Sequence, residues 1–117
     1  KRLAHYDGSS WSFVEAPASK QNVAALSAAG TVVWVVTKHT GLEAEPPREL
    51  WRRQGAGEWH LVPVPDCADY PRWARGPTDV VALPRDDVWL LASGRVLHTR
   101  PGTGPIQEIA SDAFAAQ

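Results

Sequence analysis

A hairpin-forming segment occurs three times in this chain, and this repetition limits the possible folds more than any other feature of the sequence. Each copy begins at a leucine (Leu3, Leu50 or Leu97), and successive copies are 47 residues apart. A glycine-containing turn follows each leucine, and glycine readily adopts the positive φ values of hairpin turns: Asp7-Gly8, Gly55-Ala56-Gly57 and Gly102-Thr103-Gly104. A second strand-like segment follows each turn. The repetition therefore predicts three β-hairpins.

Between the hairpins lies a second repeated element, a pair of apolar segments. Residues 23–26 and 33–37 form the first pair, and residues 80–83 and 88–92 form the second. Both pairs are rich in valine, leucine and alanine, as expected for strands that are buried on both faces of a sheet. Each pair, together with the hairpin that follows it, gives four short strands in about 47 residues.

Four-stranded units repeated at this period are typical of the blades of a β-propeller. The sequence thus predicts an all-β fold, a single β-propeller segment over residues 1–117 with about two and a half four-stranded antiparallel blades. In this prediction residues 3–14 form the outer hairpin of one blade, residues 23–63 the second blade and residues 80–109 the third. A β-sandwich is the alternative, because it also has short strands at regular spacing, but it does not account for the repeat period.

Two finer expectations follow from the repeat. The short connections of the third unit predict one antiparallel sheet whose strands follow the chain order: 80–83, 87–92, 96–100 and 105–109. Trp34 and Trp89 each lie in the second apolar strand of a unit. We therefore expect them to be equivalent, largely buried and packed between neighbouring blades.

Several segments of the chain also resemble a known repeat. They are Asp86-Asp87-Val88-Trp89-Leu90-Leu91, Gly94-Arg95-Val96-Leu97-His98 and His5-Tyr6-Asp7-Gly8-Ser9-Ser10-Trp11-Ser12. These segments are similar to the degenerate repeats of bacterial β-propeller proteins, many of which are secreted or attached to the cell surface. The resemblance implies the fold and a secreted or cell surface location, but no activity, because these repeats share no catalytic residues. The Asp-box spacing of sialidase-type propellers and the Gly-Gly pair of kelch blades do not occur in the sequence.

The charge and hydropathy of the chain argue against several kinds of partner. The sequence has 12 basic and 13 acidic residues, a formal net charge of -1 and no block of five like charges, so we expect no nucleic acid partner. The longest apolar stretches, residues 32–36 and 88–92, are far shorter than a membrane span, and no apolar signal segment follows Lys1. Cys67 is the only cysteine, so we expect stability to come from packing and not from an internal disulfide.

The connections between strands differ in length in a way that marks one side of the fold. Trp34 and Leu50 are 16 residues apart, whereas their counterparts in the third unit are 8 apart. Trp59 and Val80 are 21 residues apart, whereas their counterparts in the first unit are 12 apart. Because alternate connections of an antiparallel blade emerge on the same side, both insertions are predicted to share one side. We call the side that carries residues 38–49 and 65–78 the insertion face.

Long connections on a rigid scaffold are where binding usually occurs, and the second insertion has the densest group of aromatic and arginine residues in the chain. The candidate binding residues for a protein or glycan ligand, including two from the first insertion, are Tyr70, Arg72, Trp73, Arg75, His39 and Arg48. The alternative is that the two aromatic side chains fold the insertion onto the edge of the sheet, while the arginines remain in solvent.

No arrangement typical of catalysis or metal binding accompanies these residues. Zinc, calcium and phosphate-binding spacings do not occur, so we expect no metal, no cofactor and no catalytic residue. The leading hypothesis is a noncatalytic binding or interaction module. The alternatives are part of a propeller enzyme whose active site is shared with other blades, and a structural scaffold. An enzyme would place several titratable groups at the starts of the inner strands, where only Asp79 is found.

The last expectation concerns partners within the ring. A propeller closes with about four or more blades, so the predicted segment needs others. In particular, residues 3–14 form only two strands of a blade. We expect the remaining blades to come from a parent chain or from another copy of this chain.

Overall fold

The computed structural model describes residues 2–17, 21–39, 47–64, 76–92, 94–99 and 107–108. These residues form ten β-strands and no helix, so the predicted all-β fold is confirmed. None of the described segments is therefore an apolar helix of membrane-spanning length. In chain order the strands are β1 Arg2–Tyr6, β2 Trp11–Glu15, β3 Asn22–Ala29, β4 Val32–Lys38, β5 Glu49–Gln54, β6 His60–Val62, β7 Pro77–Leu83, β8 Asp87–Ala92, β9 Arg95–Thr99 and β10 Gln107–Glu108.

The strands form three antiparallel sheets. We call them the N-terminal hairpin (β1 and β2), the central sheet (β3 to β6) and the C-terminal sheet (β7 to β10). In each four-stranded sheet, the strands lie side by side in chain order. The strand order predicted for the third unit is therefore confirmed, and the pairing agrees with two propeller blades preceded by a hairpin.

The turn of the N-terminal hairpin is held by the side chain of Asp7. Its Oδ1 atom accepts hydrogen bonds of 2.8 Å from the backbone N–H groups of Ser9 and Ser10, and the N–H of Asp7 donates to the Ser10 carbonyl at 3.2 Å. Gly8 takes the positive φ of 102° in this turn. The amides of Ser10 and Ser9 stabilise the carboxylate, and they therefore lower the pKa of Asp7 below its usual value.

The central and C-terminal sheets pack face to face, with β3 and β4 against β7. A hydrogen bond of 2.8 Å from the Ala82 N–H to Ser27 Oγ joins the two inner strands across this interface. A buried cluster among the described residues combines apolar side chains from both sheets: Trp34, Val36, Leu50, Val80, Val88, Leu90, Ala92 and Leu97. The core thus lies between two sheets, as it does between the blades of a propeller.

The two tryptophans occupy equivalent positions. A β-bulge interrupts β3 just before Ala25 and β7 just before Asp79. Trp34 lies two residues before the partner of Ala25, and Trp89 lies two residues before the partner of Asp79. The predicted equivalence of Trp34 and Trp89 is therefore confirmed by the strand register.

The burial of the two tryptophans differs, because among the described sheets only Trp34 faces another sheet. Trp34 faces the C-terminal sheet and is 4% exposed, as predicted. Trp89 faces away from the central sheet and is only partly buried, so the expected burial between two blades was wrong for Trp89. Val81 and Leu91 lie on the same face of the C-terminal sheet as Trp89, and both are exposed.

The 47-residue spacing of leucines misplaces the third hairpin by one residue. Leu50 faces the C-terminal sheet from β5, and the equivalent position on β9 belongs to Val96, whereas Leu97 faces the central sheet. The tight turn at Gly94, where φ is 73°, joins β8 to β9 and fixes this register. The spacing predicts the strand correctly but assigns its side chains to the wrong faces.

Candidate functional site

The ends of the two insertions lie side by side. Gly76, near the end of the second insertion, packs so closely against Arg48 that an added Cβ would lie 2.6 Å from the Arg48 carbonyl oxygen. Gly76 also has a φ of 85°, which disfavours any residue with a side chain. The central portions of the insertions, residues 40–46 and 65–75, lie outside the described residues.

Two of the six candidate binding residues belong to the described part of the chain. His39 Nε2 lies 3.7 Å from Glu49 Oε1, and the same carboxylate oxygen accepts a 2.6 Å hydrogen bond from Gln21 Nε2. Arg48 is partly buried next to Glu49. The other four candidates lie outside the described residues: Tyr70, Arg72, Trp73 and Arg75.

Gln21 contacts the same Glu49 carboxylate as His39 does, and sequence analysis did not indicate its role. It is 8% exposed, and its Oε1 atom has no hydrogen-bond partner within the part of the chain that the structure describes. Its amide ties the start of β3 to the start of β5, two places that are 28 residues apart. Local sequence gives no signal for such a contact, because it exists only once β3, β4 and β5 have paired.

A second feature, also missed, is a basic side chain that lies over the tryptophan of each four-stranded sheet. Arg52 lies opposite Trp34, with its guanidinium carbon 5.8 Å from the ring centroid. His98 lies opposite Trp89, and the two rings are stacked with centroids 4.2 Å apart. The pair of a tryptophan and a basic residue is thus a repeated element of this fold.

Arg52 also links the two sheets. Its Nε atom lies 2.9 Å from Oδ1 of Asp86, and its Nη2 atom lies 2.9 Å from Oδ2 of the same carboxylate. The two contacts form a bidentate ion pair. Asp86 lies in the turn between β7 and β8, with a positive φ of 61°. In the C-terminal sheet, His98 instead contacts the carboxylate of Asp87 on its own sheet. The basic residue at this position therefore contacts a carboxylate, which belongs to the neighbouring sheet for Arg52 and to the same sheet for His98.

Replacing Asp86 by asparagine is expected to lower the free energy of unfolding by about 0.5–1 kcal/mol at low salt, because both partners are partly exposed. Asparagine tolerates the left-handed backbone of this position, so the change removes charge without adding strain. Urea denaturation at low and at high salt measures the effect, which should shrink as salt screens the pair. The control is Arg85→Asn in the same turn, where φ is 66°; this change should cost nothing. A loss that salt does not reduce would contradict the ion-pair explanation.

The described residues contain no group of three or more histidine, cysteine, aspartate or glutamate side chains that could hold a metal ion. Cys67 lies outside the described residues. His39, Arg48 and Glu49 at the end of the first insertion, with Gln21 beside them, carry groups that can form hydrogen bonds and ion pairs.

Comparison with known proteins gives a match of fold. No protein-family model matches the sequence, and no curated protein matches it at a significant level. The chain is similar to a solved structure of YCF48 bound to D1 peptide, with a TM-score of 0.55 and 17% sequence identity. The similarity covers 86% of this chain and 30% of that one, so the chain spans less than a third of the solved protein. YCF48 is a β-propeller protein, and the present chain has the fold of a partial β-propeller.

Proposed function

We propose that this chain is part of a noncatalytic β-propeller that binds another protein through its insertion face. The observation that carries the proposal is the close contact of Gly76 with the Arg48 backbone, because it joins the ends of two long connections. Two insertions that end side by side on a rigid scaffold can form a single continuous surface. Long connections held in this way by a sheet scaffold are common sites of recognition.

The proposed contact residues combine aromatic rings and guanidinium groups, which carry much of the binding energy in protein interfaces. In this proposal the second insertion supplies the central contacts, and the first insertion supplies the flank. The proposed residues are those predicted from the sequence: Tyr70, Arg72, Trp73 and Arg75 at the centre, and His39 and Arg48 beside them.

A protein ligand is preferred to a glycan because the structural neighbour, YCF48, was solved with a peptide bound. An extended peptide offers backbone groups to histidine, arginine and amide side chains, and it offers side chains to aromatic rings. The aromatic residues of the second insertion would also suit a sugar ring, so a glycan remains an outcome of the test.

The proposal includes partners within the ring. Residues 3–14, 23–63 and 80–109 would supply about two and a half blades, and the others would come from a parent chain or another copy of this chain. Exposed apolar side chains support this on the faces that the two four-stranded sheets turn away from each other, among them Leu26 on the central sheet and Leu91 on the C-terminal sheet. Soluble proteins seldom leave such faces uncovered.

Shortening both insertions to the lengths of their counterparts is expected to abolish ligand binding while the fold is retained. The experiment selects binding peptides from a displayed random library on the intact chain and then measures their affinity for the shortened variant. The control is Ala56→Lys in an exposed turn between β5 and β6, on the other side of the sheet, which should bind as the intact chain does. Circular dichroism would check that both variants keep their strands.

Two results would overturn the proposal. Peptides that bind the shortened variant as well as the intact chain would place the contact surface elsewhere. Glycan-array binding that is lost in the shortened variant, with no peptide selected, would replace the protein ligand by a carbohydrate.

A further inference from the structure

An apolar cleft of about 420 Å³ separates the N-terminal hairpin from the central sheet. Leu3 and Val14 line it from the hairpin, and Leu26, Ala28 and Val33 line it from the central sheet. Leu26 is 49% exposed although it lies on an inner strand. The volume is many times the roughly 10–15 Å³ that a cavity needs to hold one water molecule, so the cleft has room for several side chains.

The hairpin also has an edge to which a strand can add. Among the described residues, β1 pairs with β2 alone. The strands in the same place in the other two sheets, β5 and β9, are each paired on both edges. Leu3 faces the central sheet from β1 as Leu50 faces the C-terminal sheet from β5, which supports this correspondence. The second edge of β1 thus presents extended backbone groups to which another strand can hydrogen-bond.

The wall of the cleft matches an interface that is already filled elsewhere in the chain. On the C-terminal sheet, Ala82 lies opposite Val88, and this face packs against Trp34 and its neighbours. On the central sheet, Ala28 lies opposite Val33 in the equivalent place. The face of the central sheet that lines the cleft therefore has the same kind of apolar residues as the face of the C-terminal sheet that packs against the central sheet.

His5 indicates the chemistry of the occupant. Arg52 lies opposite Trp34 in the central sheet, and His98 lies opposite Trp89 in the C-terminal sheet. His5 has the same place on β1, two residues after the leucine that faces the next sheet, and it lines the cleft. A strand that pairs with the second edge of β1 would complete the repeated pair if it carried an aromatic residue opposite His5.

We propose that this cleft is the acceptor site for a β-hairpin of a partner polypeptide. One strand of this hairpin pairs antiparallel with β1 and places a tryptophan, or another large aromatic residue, opposite His5. Its remaining cleft-facing side chains are apolar. The inference rests on the propeller part of the proposed function and specifies one partner segment, but it does not depend on what the insertion face binds.

The test uses a synthetic hairpin as the probe, namely residues 21–39 of this chain with two added lysines at each end for solubility. This peptide contains the two inner strands of the central sheet, including Trp34. We expect it to bind the intact chain and to protect residues 2–6 from hydrogen exchange. The same peptide with Trp34→Ala should bind at least about tenfold more weakly, because a buried aromatic anchor is lost.

Two variants of the chain locate the site. Leu26→Asp puts a charge into the cleft and should abolish binding of the probe. Leu61→Asp is the matched control, because Leu61 is 52% exposed and does not line the cleft, and it should leave binding unchanged. Peptides that bind the insertion face should bind the Leu26→Asp variant normally, so failure of this inference and failure of the proposed ligand site can be told apart.

A fusion protein tests the same contact in case the isolated probe peptide does not fold. The same hairpin, joined ahead of Lys1 by a short glycine-serine linker, should raise the thermal midpoint of the chain, and its Trp34→Ala form should raise it less. The inference is overturned if the free hairpin does not bind and the fused hairpin does not raise the thermal midpoint. It is also overturned if binding slows hydrogen exchange outside residues 2–6 instead of within them. It is also overturned if the chain associates with itself and Leu26→Asp prevents this, because the occupant would then be a second copy.

Discussion

Replacing Trp34 by alanine is expected to lower the free energy of unfolding by roughly 3–5 kcal/mol. Trp34 is 4% exposed and belongs to the buried cluster between the central and C-terminal sheets. Its removal would leave a cavity that the paired strands on either side cannot collapse to fill, and it would also remove the ring beneath Arg52. Urea denaturation followed by circular dichroism measures the loss.

Trp89→Ala provides the matched control for this prediction. Trp89 has the same place in its sheet and the same type of basic neighbour, His98, but it lies on the face that points away from the central sheet. Its replacement should therefore cost clearly less, below about 2 kcal/mol, since a partly exposed side chain loses less on truncation. Equal losses of unfolding free energy in the two variants would show that burial between the sheets does not explain how Trp34 stabilises the fold.

The parts of the fold that the sequence predicted are those encoded by short-range signals. Turn glycines and short, continuous apolar segments predicted the strands and their order, because a hairpin needs only neighbouring residues. The equivalence of Trp34 and Trp89 was also within reach, since each occupies a similar place in an apolar run. Local pattern was thus sufficient for the architecture of each sheet.

The side-chain faces of β9 were not predictable in the same way. Counting from Leu50 to Leu97 places the strand correctly, but a shift of one residue exchanges its two faces. The shift comes from the short turn at Gly94, whose geometry decides the register more strongly than the position of a leucine does. For this reason the relation between Arg52 and His98 emerged only from the structure.

The contacts of the candidate site depend on pairing between distant segments. Gln21 and Glu49 are 28 residues apart, and Arg52 and Asp86 are 34 apart. Both contacts exist only after several strands have assembled, and many other polar residues of the chain have the same local surroundings. Unequal loop lengths predicted the side on which Gln21 meets Glu49, but not these two side chains, and they gave no signal for Asp86, which lies in the β7–β8 turn on the opposite side.

Replacing Gly76 by alanine is expected to lower the free energy of unfolding by roughly 2–5 kcal/mol. The φ of 85° makes a side chain unfavourable, and the new Cβ would lie 2.6 Å from a backbone oxygen of Arg48. Neither Gly76 nor Arg48 can move freely, because β7 and β5 begin immediately after them. We expect the variant to separate the ends of the two insertions. This would also lower the affinity for any ligand that contacts both insertions. Denaturant unfolding gives the first effect, and the affinity of the selected peptides gives the second.

Gly30→Ala separates the two causes of this effect. Gly30 also has a positive φ, 61°, but an added Cβ there would meet no atom within 4 Å. This variant should therefore cost about 1–2 kcal/mol from backbone strain alone and should leave peptide binding unchanged. The difference between the two variants then measures how tightly Gly76 and Arg48 are held together. If both alanine variants lose the same stability, the ends of the insertions are not fixed against each other, and the argument for one continuous insertion face fails with them.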